Sequence, residues 1–138
     1  MPCGWVAQAC MGASIEKDGT LMSIGLTYSL SGLAASQAKL NAAANNIANA
    51  NTAEFKKTRV LAEEASAGGV VVTLDHVNTP GPLALRESEQ GLREQELSNV
   101  DLGEELINVL ISRQSFEANL SAIATQDETL GSLLDVLE

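Results

Sequence analysis

Few side chains in this sequence stand where chemistry could use them. The single histidine, His76, directly follows Asp75. A His–Asp dyad needs converging side chains, and neighbours on a strand point to opposite faces. Both cysteines, Cys3 and Cys10, fall in the first ten residues, so the rest of the chain holds neither a disulfide framework nor a thiolate metal site. The adjacent acids Glu63-Glu64 and Glu104-Glu105 read as solvated surface neighbours rather than as a general acid/base pair. Gly68-Gly69 lacks the Lys-Ser/Thr that completes a phosphate-binding loop. These patterns supply no catalytic residue, metal site, cofactor site or small-molecule substrate site, and they point away from an enzyme.

The unusual feature is a run of amides. Asn41, Asn45, Asn46, Asn49 and Asn51 fall within eleven positions, NAAANNIANAN, and Thr52 follows. Asparagine is a poor interior helix former because its amide competes for nearby backbone groups. Such a run therefore either ends a helix, with Asn near the C-cap, or is satisfied by specific contacts. Asn45 and Asn49 lie one helical turn apart. In the second reading the run is a polar ladder that hydrogen-bonds a partner helix or an adjacent subunit, since amides both donate and accept.

The elements that position these residues are mainly helical. Leu26, Leu30, Leu33, Gln37, Leu40, Ala44 and Ile47 step alternately by four and three, which is a heptad seam. A helix from Ile24 to Asn51 would be about 42 Å long, and its many alanines favour close helix approach. A second seam, Leu102, Leu106, Val109, Arg113, Phe116, Leu120, Ile123, Asp127, Leu130, Leu134 and Leu137, keeps the same step, and Ile107, Leu110, Ile111 and Leu133 widen it enough to face more than one neighbour. Ser98, Asp101, Glu104 and Glu105 suit the start of that helix. The polar seam residues Gln37, Arg113 and Asp127 lie at a solvated edge or fix register and partner choice. Arg113 and Asp127 are two heptads apart, so any ion pair between them would join different chains.

Between the helices, Val70–Val77 is β-branched, NTPGP at 78–82 signals a turn, and Leu83–Arg86 follows. One small hairpin is expected, leaning on the helices or a neighbour because a lone hairpin is marginal in water. Residues 88–97 read as a polar connection. The expected organisation is a disordered leader or non-native start at 1–21, an N-terminal helix with its Asn signature at 22–60, a linker with a small β-hairpin at 61–97, and a C-terminal helix at 98–138. The fold class is mainly α, with the two long helices packed as a coiled coil.

The 138 residues are 45% hydrophobic but only 3% aromatic, so the large rings that fill a compact core are nearly absent. A net charge of −10 argues against nucleic acid, which calls for clustered Lys and Arg. No run approaches the roughly 18 apolar residues of a membrane span, and the first residues lack the pattern of a cleaved signal peptide. Charge divides along the chain. Lys39, Lys56, Lys57 and Arg59 face only Glu54 within 22–60, whereas 61–138 is strongly acidic. Either both halves are simply solvated, or the basic half meets the acidic half of the same or a neighbouring subunit.

At two places the sequence resembles the flagellar axial family, the rod and hook proteins of the basal body. MSIGLTYSLSGLAASQAKLNAAANNIANANTAEFKK, from Met22, is similar to the family's N-terminal motif, with Asn45, Asn46, Ile47, Asn49, Asn51 and Thr52 in the signature and Phe55-Lys56 in the aromatic-Lys positions. SNVDLGEELINVLISRQSFEANLSAIATQDETLGSLLDVL, from Ser98, resembles its C-terminal motif through Ser98–Asp101, Glu104, Glu105, Arg113, Gln114, Phe116, Ala118 and Asn119. Two departures are Ala53-Glu54, where many members turn with Pro or Gly, and Phe116, commonly Tyr.

The resemblance implies a non-enzymatic subunit of the bacterial flagellar basal-body rod, most like a short proximal-rod member. Such a subunit is exported through the flagellar export apparatus without a cleaved signal, works in the periplasmic rod, and assembles with itself and other rod subunits into a helical tube. The expected subunit interface comprises Asn45, Asn46, Asn49, Asn51, Leu106, Arg113, Gln114, Phe116, Asn119, Leu120 and Asp127. A cytosolic coiled-coil adaptor or export chaperone would share the acidic, helical, non-catalytic composition, but it has no reason to carry both terminal motifs.

Overall fold

The computed structural model describes residues 12–88 and 91–137. Its elements run α1 (Gly12–Ala48), β1 (Thr58–Glu64), β2 (Val70–His76), β3 (Leu83–Ser88), β4 (Gly91–Glu96) and α2 (Leu102–Leu137). The mainly helical architecture expected from the two heptad patterns is present: α1 and α2, about 55 Å each, pack along one another with a small β region between them in sequence.

Helix α1 begins at Gly12, inside the 1–21 stretch expected to be a disordered leader. Past Pro2 no proline interrupts the sequence before Pro80, and extending an existing helix costs far less than starting one. The remainder of that stretch, with Cys3 and Cys10, lies outside the described residues. At the other end, Asp101 caps α2: its Oδ1 accepts from the backbone N–H of Gly103 at 2.8 Å and of Glu104 at 3.2 Å. Glu104 and Glu105 then sit at the positive end of the helix dipole.

The single expected hairpin is corrected to two. β2 pairs antiparallel with β1, Thr58 opposite His76 and Glu64 opposite Val70. The connection turns through Gly68 and Gly69, both at φ 85°, a conformation that glycine adopts without a Cβ penalty. β3 pairs instead with β4, Leu83 opposite Glu96 and Ser88 opposite Gly91. NTPGP is therefore the link between two hairpins rather than the turn of one. β4 was legible only as a polar connection because GLREQE holds no β-branched residue.

The helix seam is also shifted. The face of α1 turned to α2 carries Gly25, Ser29, Gly32, Ser36, Ala43 and Asn46, one residue back from the expected leucine seam; Leu26 and Leu30 are exposed. On α2 the covered positions are Glu105, Val109, Ser112, Phe116, Asn119, Ile123 and Gln126, sharing only Val109, Phe116 and Ile123 with the expected row. Close approach explains the choice. A Cβ on Gly25 would lie 2.7 Å from the Gln126 amide, and one on Gly32 2.8 Å from that of Asn119. Large leucines would hold the backbones apart, so α2 places its amides at the two glycines.

The first hairpin packs on α1, whereas β3 and β4 contact no element but each other. Among the described residues the only buried hydrophobic side chains are Ala35 (6% exposed) and Ala43 (2%). Buried polar groups outnumber them: Ser36, Asn46, Ser98, Glu105 and Ser112.

Candidate functional site

The amide run meets the rest of the chain at a junction where α1 ends, β1 starts and α2 begins. Asn46 is 1% exposed and is satisfied within its own chain. Its Oδ1 accepts from the Thr58 N–H and its Nδ2 donates to the Thr58 carbonyl, both at 2.9 Å, so the amide pairs with β1 as a strand neighbour would. The same Nδ2 donates to Glu105 Oε1 at 2.9 Å. Asn46 thereby joins three elements and answers a carboxylate that is only 4% exposed, a group costly to bury unpaired.

Asn49 closes the helix. Its N–H lies 3.2 Å from the carbonyls of Asn45 and Asn46, its Nδ2 donates to the Asn45 carbonyl at 2.9 Å, and its Oδ1 accepts from Thr52 Oγ1 at 3.2 Å. The chain then reverses through Glu54, at φ 61°. This is the one positive-φ position without glycine among the described residues, and it is where the turn residue of the resembling motif is missing.

Asn99 ties the strands to the start of α2. It accepts from the Lys57 N–H at 2.7 Å and donates to the carbonyls of Val77 and Thr79 at 2.8 and 2.9 Å. Glu96 completes the junction with an ion pair to Lys56 and a 2.7 Å bond from the Gly81 N–H. The Lys56 hydrogen bond, then the Gly81 N–H, hold its carboxyl below the ordinary glutamate range. Lys57 pairs with Glu104 at 2.8 Å. The basic segment thus meets the acidic one within a single chain.

The expected interface residues separate by their surroundings. Asn46 is corrected to an internal group. Phe116 and Asn119 are half-buried on the α1-facing side of α2, and Asn119 donates to the Ser115 carbonyl at 3.0 Å. Asn49 is half-buried. Asn45, Asn51, Leu106, Arg113, Gln114, Leu120 and Asp127 remain exposed. Arg113 pairs with Glu117, one turn on, at 2.8 Å.

The His76–Asp75 pair diverges as the strand requires. Asp75 meets Arg59 at 2.8 Å, while His76 Nδ1 lies 3.2 Å from Thr58 Oγ1. Among the described residues no cluster of His, Cys, Asp or Glu is arranged to hold a metal ion, and no helix is long and apolar enough to cross a membrane. The junction joins the end of α1, the start of β1 and the start of α2 through these hydrogen bonds and ion pairs.

Glu96 escaped the sequence reading because a lone acid in a polar stretch has no period. Gly25 and Gly32 carried a usable signal. With Lys39 and Asn46 they recur every seven residues, as do Glu105, Ser112, Asn119 and Gln126 on α2.

Residues 26–56 match the family described as flagella basal body rod protein, and residues 94–136 match that described as flagellar basal body rod FlgEFG protein C-terminal. The flagellar hook proteins FlgE of Escherichia coli (strain K12) and of Salmonella typhimurium are each 39% identical over 41 residues, 30% of this chain. The matched part spans 10% of the length of each of those relatives.

Proposed function

Because the chain belongs to the flagellar rod and hook family, we propose that it is a structural subunit of the basal-body rod that assembles with itself and other rod subunits through its terminal helices. The observation that carries this reading is that, among the described residues, the buried hydrophobic side chains are two alanines, Ala35 and Ala43. Large apolar side chains lie exposed along both helices, among them Leu26, Leu30, Leu106, Leu110, Leu120 and Leu134. Apolar surface of this extent marks an interaction site, and burying each large aliphatic side chain contributes roughly 1.5–3 kcal/mol.

In this reading the exposed Asn45, Asn51, Leu106, Arg113, Gln114, Leu120 and Asp127 face neighbouring subunits, while the junction fixes the angle at which α1 and α2 are offered to them. The chain leaves the cytoplasm through the flagellar export apparatus and acts in the periplasmic part of the basal body. The test is an epitope-tagged chain in its native host, probed in purified hook–basal bodies and in cytosolic and periplasmic fractions. Recovery in the basal body is expected. Recovery in the cytosol alone, in a strain that exports other rod proteins, would replace the proposal with the adaptor reading.

A further inference from the structure

The β3–β4 hairpin stands apart from the other elements and is two-sided. In its register Leu83 faces Glu96, Leu85 faces Glu94, and Glu87 faces Leu92, so one face carries three leucines with acids as its only charges. Leu85 is 68% and Leu92 72% exposed. The opposite face holds Arg86 across from Arg93. An isolated two-stranded hairpin is marginal in water, and this one gains no support for its leucine face from α1, α2 or the first hairpin.

A complementary surface lies elsewhere on the same chain. Ala38, Ala42, Val72 and Leu74 line a groove of about 550 Å³ between α1 and β2, rimmed by Asn41, Asn45 and His76. At Ala42 and Thr58 it adjoins a second cleft, about 280 Å³, lined by Lys39, Lys57 and Arg59 and by the carboxylates Glu104 and Glu105, the latter bonded to Asn46. Lys57 and Arg59 are paired with Glu104 and Asp75, which leaves Lys39 as the cation of that cleft without an ion pair among the described residues. The groove is apolar with Lys39 on its flank; the hairpin face is apolar with Glu87 and Glu94 beside its leucines, Glu96 being paired with Lys56.

We propose that the leucine face of the β3–β4 hairpin seats in the α1–β2 groove of a second copy of this chain, with Glu94 directed toward Lys39. The proposal rests on the assembly reading above and adds a contact outside the helices. Two different, complementary patches on one chain make a head-to-tail contact, which propagates when its rotation does not close. The acid–base flank sets the register of the leucines and disfavours inverted docking.

The test uses the purified full-length chain, mixed from ¹⁴N and ¹⁵N batches, with a benzophenone amino acid replacing Leu85 in one sample and Leu120 in another. After irradiation, mass spectrometry identifies the joined peptides. Isotopically mixed cross-links from position 85 to residues 38–45 or 72–76 are expected. Mixed cross-links from position 120, with none from 85 to that groove, overturn the docking and leave helix-mediated assembly standing. Absence of mixed cross-links from both positions overturns the assembly reading and the docking with it. In the same chain, Glu94→Lys is expected to weaken copy-to-copy association about three- to tenfold, and adding Lys39→Glu to restore it. Failure of that restoration overturns the Glu94–Lys39 pairing.

Discussion

Asn46 and Asn45 are adjacent amides in one signature, yet the structure gives them different work. Asn46→Ala removes both bonds to Thr58 and leaves Glu105 buried without its donor. We expect a loss of about 2–4 kcal/mol in urea unfolding of the full chain. Asn45 is exposed, so Asn45→Ala should stay within about 0.5 kcal/mol in the same measurement while lowering assembly. Glu54 holds φ 61°, where a Cβ is strained. Glu54→Gly should raise stability by about 1 kcal/mol, less the chain entropy that glycine adds to the unfolded state; a loss in the same urea series would mean that the Glu54 side chain has a role of its own. Glu96 titrates below the ordinary glutamate range through Lys56 and Gly81. A depressed folded value means that its contribution is complete above the unfolded value and disappears as pH falls through the folded one. A ¹³C carboxyl titration should show that value rising in Lys56→Met, and the link at residues 79–82 should loosen at a higher pH than in the parent chain.

At the scale of the elements, a period read from leucines found both helices but not their mutual face. The heptad step is the same for the small-residue seam and the leucine seam, and only backbone approach distinguishes them. Gly32 decides the matter where Asn119 crowds it. Gly32→Leu should split the helix pair, costing about 1–3 kcal/mol by overpacking, whereas Leu30→Ala, at an exposed site, should leave the monomer's stability nearly unchanged. Thermal unfolding of both variants at low concentration checks the contrast. The strands show the opposite limit of sequence reading. Val70–His76 announced itself through β-branched residues, but its partner Thr58–Glu64 and the polar β4 did not, because their pairing depends on where Asn46, Asn99 and Glu96 hold the chain. Asn46 and Asn99 were visible as members of a resembling motif; their hydrogen-bond partners, being distant in sequence, were not.

At the scale of the whole molecule, the small-residue seam and the exposed leucines belong to one arrangement. By joining α1 to α2 through glycine, serine and amide groups, the chain keeps its long aliphatic side chains outward, where a second copy can cover them. The monomer is then held mainly by polar contacts and short-range packing, and in the proposed assembly much of its apolar stabilisation becomes available only on association. Its apparent stability should therefore depend on concentration, since anything that binds the folded chain but not the unfolded one stabilises it by mass action. We expect the thermal midpoint of the parent chain to rise across a hundredfold concentration series. The double variant Leu106→Glu/Leu120→Glu should remain flat across the series, with the parent's helical circular dichroism at the lowest concentration. Both leucines are more than half exposed, so a loss of fold in the dilute variant would show that they support the monomer itself. A flat parent series would show that the aliphatic faces are not covered by copies of this chain, and would direct attention to other proteins as the partners that cover them.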